Sequence, residues 1–168
     1  MTEWIEFLNL YRVSAQHLVA ALLGAAIWRW GGSPERWSIG VFIATMVAPF
    51  YLFAWLGLQA TGAEPYAVVY TIMDVIAAAM FIAIALKANR NYPLWVAGFQ
   101  LVALGAHMVK ATVDTVSPLA FVILVIGPSY CQLLVLLGGF VRHVLRERRF
   151  GTYRDWRQPV VLGSKLPL

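Results

Sequence analysis

Five apolar stretches, each close to the length a helix needs to cross a bilayer, leave this chain little freedom in how it folds. They run at about 13–30, 38–58, 66–87, 94–112 and 118–141. Roughly 20 helical residues at ~1.5 Å each cover the ~30 Å hydrocarbon core. Because lipid offers no hydrogen bonds, such stretches satisfy their own backbones as helices. Hydrophobic residues fill 61% of the 168 positions and charged residues 12%, whereas a soluble domain carries about 25% charge. The predicted fold is therefore all-α, an integral membrane bundle of about five transmembrane helices. Residues 1–145 form the bundle and 146–168 a basic cytoplasmic tail, with nothing resembling an interdomain linker.

Short punctuated breaks separate the stretches. Trp30-Gly31-Gly32-Ser33-Pro34-Glu35-Arg36, Gln59 to Pro65, and Ala88-Asn89-Arg90-Asn91-Tyr92-Pro93 hold the Gly, Pro and Asn that end helices. The break near Thr112 to Pro118 is less marked. Connections this short make consecutive helices antiparallel neighbours.

Lys and Arg near span ends are retained on the cytoplasmic side, so their placement sets orientation. With the amino terminus outside, the cytoplasmic segments hold Arg29, Arg36, Lys87, Arg90, Arg142, Arg146, Arg148, Arg149, Arg154, Arg157 and Lys165, leaving Arg12 and Lys110 outside. This asymmetry favours five spans, an outside amino terminus and a cytoplasmic carboxyl terminus. It also explains the net charge of +5 without nucleic acid, since the basic residues flank apolar runs rather than forming a patch. The first span is read as retained, not as a signal peptide, because Glu3 and Glu6 precede it and cleavage would invert every later loop. Ahead of it, Trp4, Phe7, Leu8 and Tyr11 recur at helical spacing, suiting either a surface helix or an early start to span one.

Ionisable residues inside spans are the first functional suspects, because each is costly unless paired or wet. The candidate polar layer comprises His17, Tyr70, Asp74, Gln100, His107 and Lys110. At ~1.5 Å per residue, His17 lies roughly 6 to 10 Å from the outer end of its span, Asp74 roughly 12 Å and His107 roughly 8 Å. Gln100, His107, Lys110 and Asp114 share one side of span four, and Tyr70 sits one turn from Asp74. Gln132 is a further polar residue, in span five.

The leading reading of this outer-third layer is interhelical: Asp74 pairs with Lys110 or accepts a hydrogen bond from His107. A second reading places a haem b between His17 and His107, which match in depth. A third is a ligand or transport pocket at Asp74, with carbonyls exposed by a helix break at Gly127-Pro128-Ser129.

A stripe of Ser14, His17, Ala21 and Gly24 in span one, and Gly98 and Gly105 two turns apart in span four, mark close helix contacts. Pro49 and Pro128 are expected to kink their helices. The tail arginines Arg142, Arg146, Arg148, Arg149, Arg154 and Arg157, interleaved with Phe150, Tyr153 and Trp156, suit anionic lipid headgroups. Cys131 is the single cysteine, so no intramolecular disulfide and no cysteine metal cluster forms. Hydrolase, kinase and zinc-protease signatures are absent.

Trp30-Gly-Gly-Ser-Pro-Glu-Arg36 and Asn91-Tyr-Pro-Leu-Trp-Val-Ala-Gly-Phe-Gln-Leu-Val102, followed by His107, resemble small polytopic bacterial inner-membrane proteins of no assigned activity. The resemblance implies a bacterial cytoplasmic membrane and transfers no site residues. The expected function is a non-enzymatic accessory or structural subunit that packs against other membrane proteins or further copies of itself, in contact with membrane lipids. The alternatives are a small-ligand or haem-binding protein and a small transporter.

Overall fold

The computed structural model describes residues 2–57, 63–112 and 118–157. Among them the regular elements are all helices: α1 (Thr2–Trp30), α2 (Ser33–Trp55), α3 (Ala63–Lys87), α4 (Tyr92–Thr112) and α5 (Pro118–Phe150). Three helices are long and apolar enough to cross a membrane: Ser33–Trp55, Val68–Lys87 and Tyr92–Val109, with mean hydropathies of 1.7, 2.3 and 1.3.

Each helix after the first carries a proline in its opening turn, at Pro34, Pro65, Pro93 and Pro118. There the missing N–H costs no helical bond, and the fixed φ favours entry into the helix. α1 is one continuous helix from Thr2, with no break between Trp4 and the apolar stretch that follows. The side chains of Trp4, Phe7 and Leu8 lie outside the described residues.

The two internal prolines behave differently. Before Pro49, residues Ile43–Val47 form a π turn in which the Ala48 N–H donates to Ile43 O. The register slips by one residue beside the proline that lacks a donor, as is common at helix bends. The Thr45 hydroxyl donates to Val41 O at 2.9 Å in the same segment. Around Pro128, by contrast, α5 runs through unbroken, which corrects the helix break expected at Gly127-Pro128-Ser129. The Ser129 hydroxyl donates to Ile126 O at 2.7 Å and accepts from Gln16 Nε2 at 2.8 Å, tying the segment to α1. α5 also continues past 141 to Phe150, so the boundary drawn at 145 and 146 falls inside a helix.

Ile27, Ile39, Phe42, Phe81, Val96 and Leu136 form the centre of the core. Glycines set the closest approaches. A Cβ on Gly24 of α1 would stand 2.9 Å from Ile43 Cδ1, and one on Gly139 of α5 would stand 2.7 Å from the Tyr92 ring. The span-one stripe therefore divides: His17 and Gly24 face inward, Ser14 and Ala21 outward. Outside this core many large apolar side chains stay exposed, Trp28, Trp55, Leu86, Trp95 and Leu134 among them. A soluble protein rarely leaves so much apolar surface uncovered, whereas lipid accepts it.

Candidate functional site

Polar side chains converge at two levels of the bundle. Within it, Asp74 on α3 is buried and each of its carboxylate oxygens faces a polar side chain. Gln100 Nε2 donates to Oδ1 at 2.9 Å, and His107 Nε2 faces Oδ2 at 3.0 Å. Gln100 also reaches the Asp74 carbonyl at 3.3 Å. Its own Oε1 accepts from Gln132 Nε2 on α5 at 2.8 Å, and that amide reaches Val96 O at 3.2 Å.

The result is a directed row, Gln132 to Gln100 to Asp74, with His107 closing the far side. Gln100 and His107 lie two turns apart on one face of α4, so a single helix presents both side chains to α3. Paired this way, the Gln100 amide can sit among apolar side chains without the penalty of unpaired polar atoms. Gln132 Oε1 is buried and meets no donor among the described residues, which leaves one open acceptor at the α5 end.

The expected polar layer is thus only partly assembled. Asp74, Gln100 and His107 meet, and Gln132 joins them. His17 does not: its ring packs between α1 and α2, against Phe50 at 5.1 Å and Tyr51 at 5.3 Å. Tyr70 turns toward α2 and meets Phe53 edge-on at 5.8 Å. The Lys110 side chain and Asp114 lie outside the described residues. The pair of histidines does not fit a haem as arranged, because His107 Nε2, an axial-ligand atom, is directed at Asp74. A shared depth placed His17 and His107 together in the sequence reading; rotation about the helix axes separates them.

The second level is the loop end, where the Gly31-Gly32 turn, residues 88–91 and residues 151–157 gather. Arg90 is its hub, forming ion pairs with Glu35 and Asp155. Glu35, in the first turn of α2, is fully buried. Asp155 Oδ2 also accepts from Ser33 N–H at 2.9 Å, so a carboxylate distant in sequence caps α2. Gly32 makes room for this pair: a Cβ there would stand 2.7 Å from Asp155 Oδ1 and 2.8 Å from Arg90 Nη2, so a larger residue would displace the ion-paired groups.

Backbone bonds hold the returning segment, Asn89 N–H to Asp155 O at 3.0 Å and Arg157 N–H to Lys87 O at 2.8 Å. Tyr153 lies between two guanidinium groups, Arg90 at 4.9 Å and Arg146 at 4.3 Å. Burial pushes its phenol above the usual range, Glu35 and Asp155 add to this, and the two arginines oppose it. The Tyr153 hydroxyl and His143 Nδ1 share a hydrogen bond at 3.0 Å, and His143 Nε2 lies 3.5 Å from Glu147 Oε2.

This loop-end knot escaped the sequence reading, which counted Arg36 and Arg90 only as topology signals. A signal was available in the acidic Glu35 and Asp155, set among arginines at three segments that the short connections bring to one end. The six tail arginines are also divided rather than pooled. Arg142, Arg146 and Arg149 line one face of α5, and Arg148 lines a cleft of about 540 Å³ with Arg29 and Arg36. Arg154 and Arg157 are exposed on the returning segment. Among the described residues no group of three or more His, Cys, Asp or Glu side chains is arranged to hold a metal. Comparison with protein-family models, curated proteins and solved structures finds no match to this chain.

Proposed function

We propose that this chain is a non-enzymatic, five-span protein of a bacterial cytoplasmic membrane, amino terminus outside and carboxyl terminus inside, that serves as an accessory subunit packing against other membrane proteins. The observation that carries this reading is the row at Asp74. Both carboxylate oxygens are engaged by side chains of the same chain, so the acid braces helices, whereas a catalytic or transporting acid needs an oxygen open to its substrate or proton path. The topology is supported by the loop end, where the α1–α2 and α3–α4 connections and the segment after α5 meet, as five antiparallel crossings require. Those segments also hold Arg29, Arg36, Lys87 and Arg90, the residues that the positive-inside rule keeps in the cytoplasm.

A partner surface is available on α4. Trp95, Gly98 and Val102 are exposed and Gly105 is half-exposed along one stripe. A Cβ on either glycine would meet nothing within 4 Å. Small residues in such a stripe let a second helix approach closely, the main source of affinity between helices in lipid.

The test is purification of the full chain in mild detergent from its native membrane, with identification of the polypeptides that accompany it. Stoichiometric partners lost on Gly98→Leu, with the bundle intact, are the expected result. A second copy as the only companion would make the assembly homo-oligomeric. A monomer that binds a pigment or small molecule at His107 and Asp74 would overturn the reading.

A further inference from the structure

Along the face of α5 that leads toward the loop end, apolar residues give way to basic ones. Leu134, Leu137, Gly138 and Val141 give an apolar run, followed on the same face by Arg142, Arg146 and Arg149. Together with Tyr153 they line an open groove of about 1040 Å³.

Its dimensions match one leaflet. From Leu134 to Arg142 the helix rises ~12 Å, against ~15 Å for half of the hydrocarbon core. The three arginines cover the next ~10 Å, the depth of lipid phosphates. Gly138 leaves a notch in the apolar run, since a Cβ there would meet nothing within 4 Å.

Charge selects the occupant. No acidic residue lines this groove among the described residues. Glu147 sits on the other side of α5, beside His143, and Asp155 is held by Arg90. Three like charges on an exposed face repel a second copy of the same face and attract anions. Arg146 is also preorganised, its guanidinium stacked over the Tyr153 ring at 4.3 Å. We propose that this groove is a specific site for an anionic phospholipid, with its phosphate on Arg142, Arg146 and Arg149 and an acyl chain along Leu134 to Val141. The proposal rests on membrane insertion as read above and narrows the lipid contact from the whole basic tail to one face of one helix.

The test uses the full chain in mixed phosphatidylcholine and phosphatidate bilayers, with bound lipid counted by native mass spectrometry. Two triple variants lose equal charge: Arg142→Gln with Arg146→Gln and Arg149→Gln in the groove, and Arg148→Gln with Arg154→Gln and Arg157→Gln away from it. At about 1 kcal/mol per basic residue near a charged surface, the groove variant is expected to weaken phosphatidate binding by about a hundredfold. The other variant should weaken it by less than about tenfold. Equal losses in the two would mean diffuse attraction, and no loss in either would also overturn the site.

Gly138→Leu fills the notch without touching a charge and is expected to lower occupancy several-fold. Unchanged occupancy would mean that the arginines hold a phosphate with no seated chain, which contradicts the proposal. Failure of the membrane reading is seen separately, as release of the chain from membranes by alkaline carbonate.

Discussion

The Asp74 row joins α3, α4 and α5, whereas the Arg90 knot joins α2 to the α3–α4 connection and the segment after α5 by different chemistry, and the difference follows depth. The row lies within the apolar part of the bundle and contains one carboxylate, two amides and an imidazole. Its strength is that of ordinary hydrogen bonds, and interhelical polar contacts in membranes average ~0.6 kcal/mol and reach ~1.7. The knot lies where three chain segments gather and contains full charges, with Glu35 completely buried. Breaking such a pair leaves an uncompensated charge and costs about 3 to 5 kcal/mol. Polar groups in the bundle therefore orient helices, while the loop end determines whether the segments stay together.

The largest expected effect comes from the knot. Arg90→Met strands Glu35 and releases Asp155 from its partner, and about 3 to 5 kcal/mol of stability should be lost. Thermal unfolding in detergent measures this, and limited proteolysis should show cleavage appearing within 151–157. Next is crowding at two of the tight glycines. Gly32→Ala drives a methyl group into Arg90 and Asp155, and Gly139→Ala drives one into the Tyr92 ring. Each should cost about 1 to 3 kcal/mol in the same assay, whereas Gly98→Ala, facing open space, should cost less than about 0.5 kcal/mol.

The row gives smaller effects. Asp74→Ala leaves the polar groups of Gln100 and His107 unmatched and should cost about 1 to 3 kcal/mol. Asp74→Asn keeps an acceptor for one of them and should cost less, without abolishing membrane assembly. An Asp74→Asn protein that is fully stable yet without biological activity would turn the row from a brace into a working site. Tyr153→Phe removes one hydrogen bond to His143 and should cost about 0.5 to 1.5 kcal/mol by the same thermal assay, leaving Gly98→Ala as the smallest effect.

Helix positions were legible because their signals are local. Apolar runs near bilayer length, with Gly, Asn and Pro between them, placed the ends of α1, α3 and α4 at Trp30, Lys87 and Thr112, where the structure has them. That His107 and Asp74 lie at one level was legible from depth, since each residue's distance from a span end can be counted, and the two side chains meet at 3.0 Å. The angle around each helix axis could not be counted across different helices. His17 therefore seemed to share a layer with His107, although its ring packs on Phe50 and Tyr51.

Gln132 was visible only as a polar residue in a span, because its role depends on how α5 rotates against α4. The knot was harder still. Arg90 and Asp155 are 65 positions apart, and their meeting depends on residues 151–157 folding back across the loop end. No periodicity announces such a return. Pro128 shows the opposite limit: a strong local signal for a break was overruled, with Ser129 bonded to Ile126 O and to Gln16 across the helix pair.

The most direct test of this difference is a pair of double-mutant cycles in the same detergent, one on Glu35 and Arg90 and one on Asp74 and His107, each read as stability by reversible thermal or denaturant unfolding. The expected coupling is about 3 kcal/mol for the first and no more than about 1.7 kcal/mol for the second. Equal couplings, or a larger one in the Asp74 row, would contradict the account that the charged loop end, rather than the polar row, holds the bundle together.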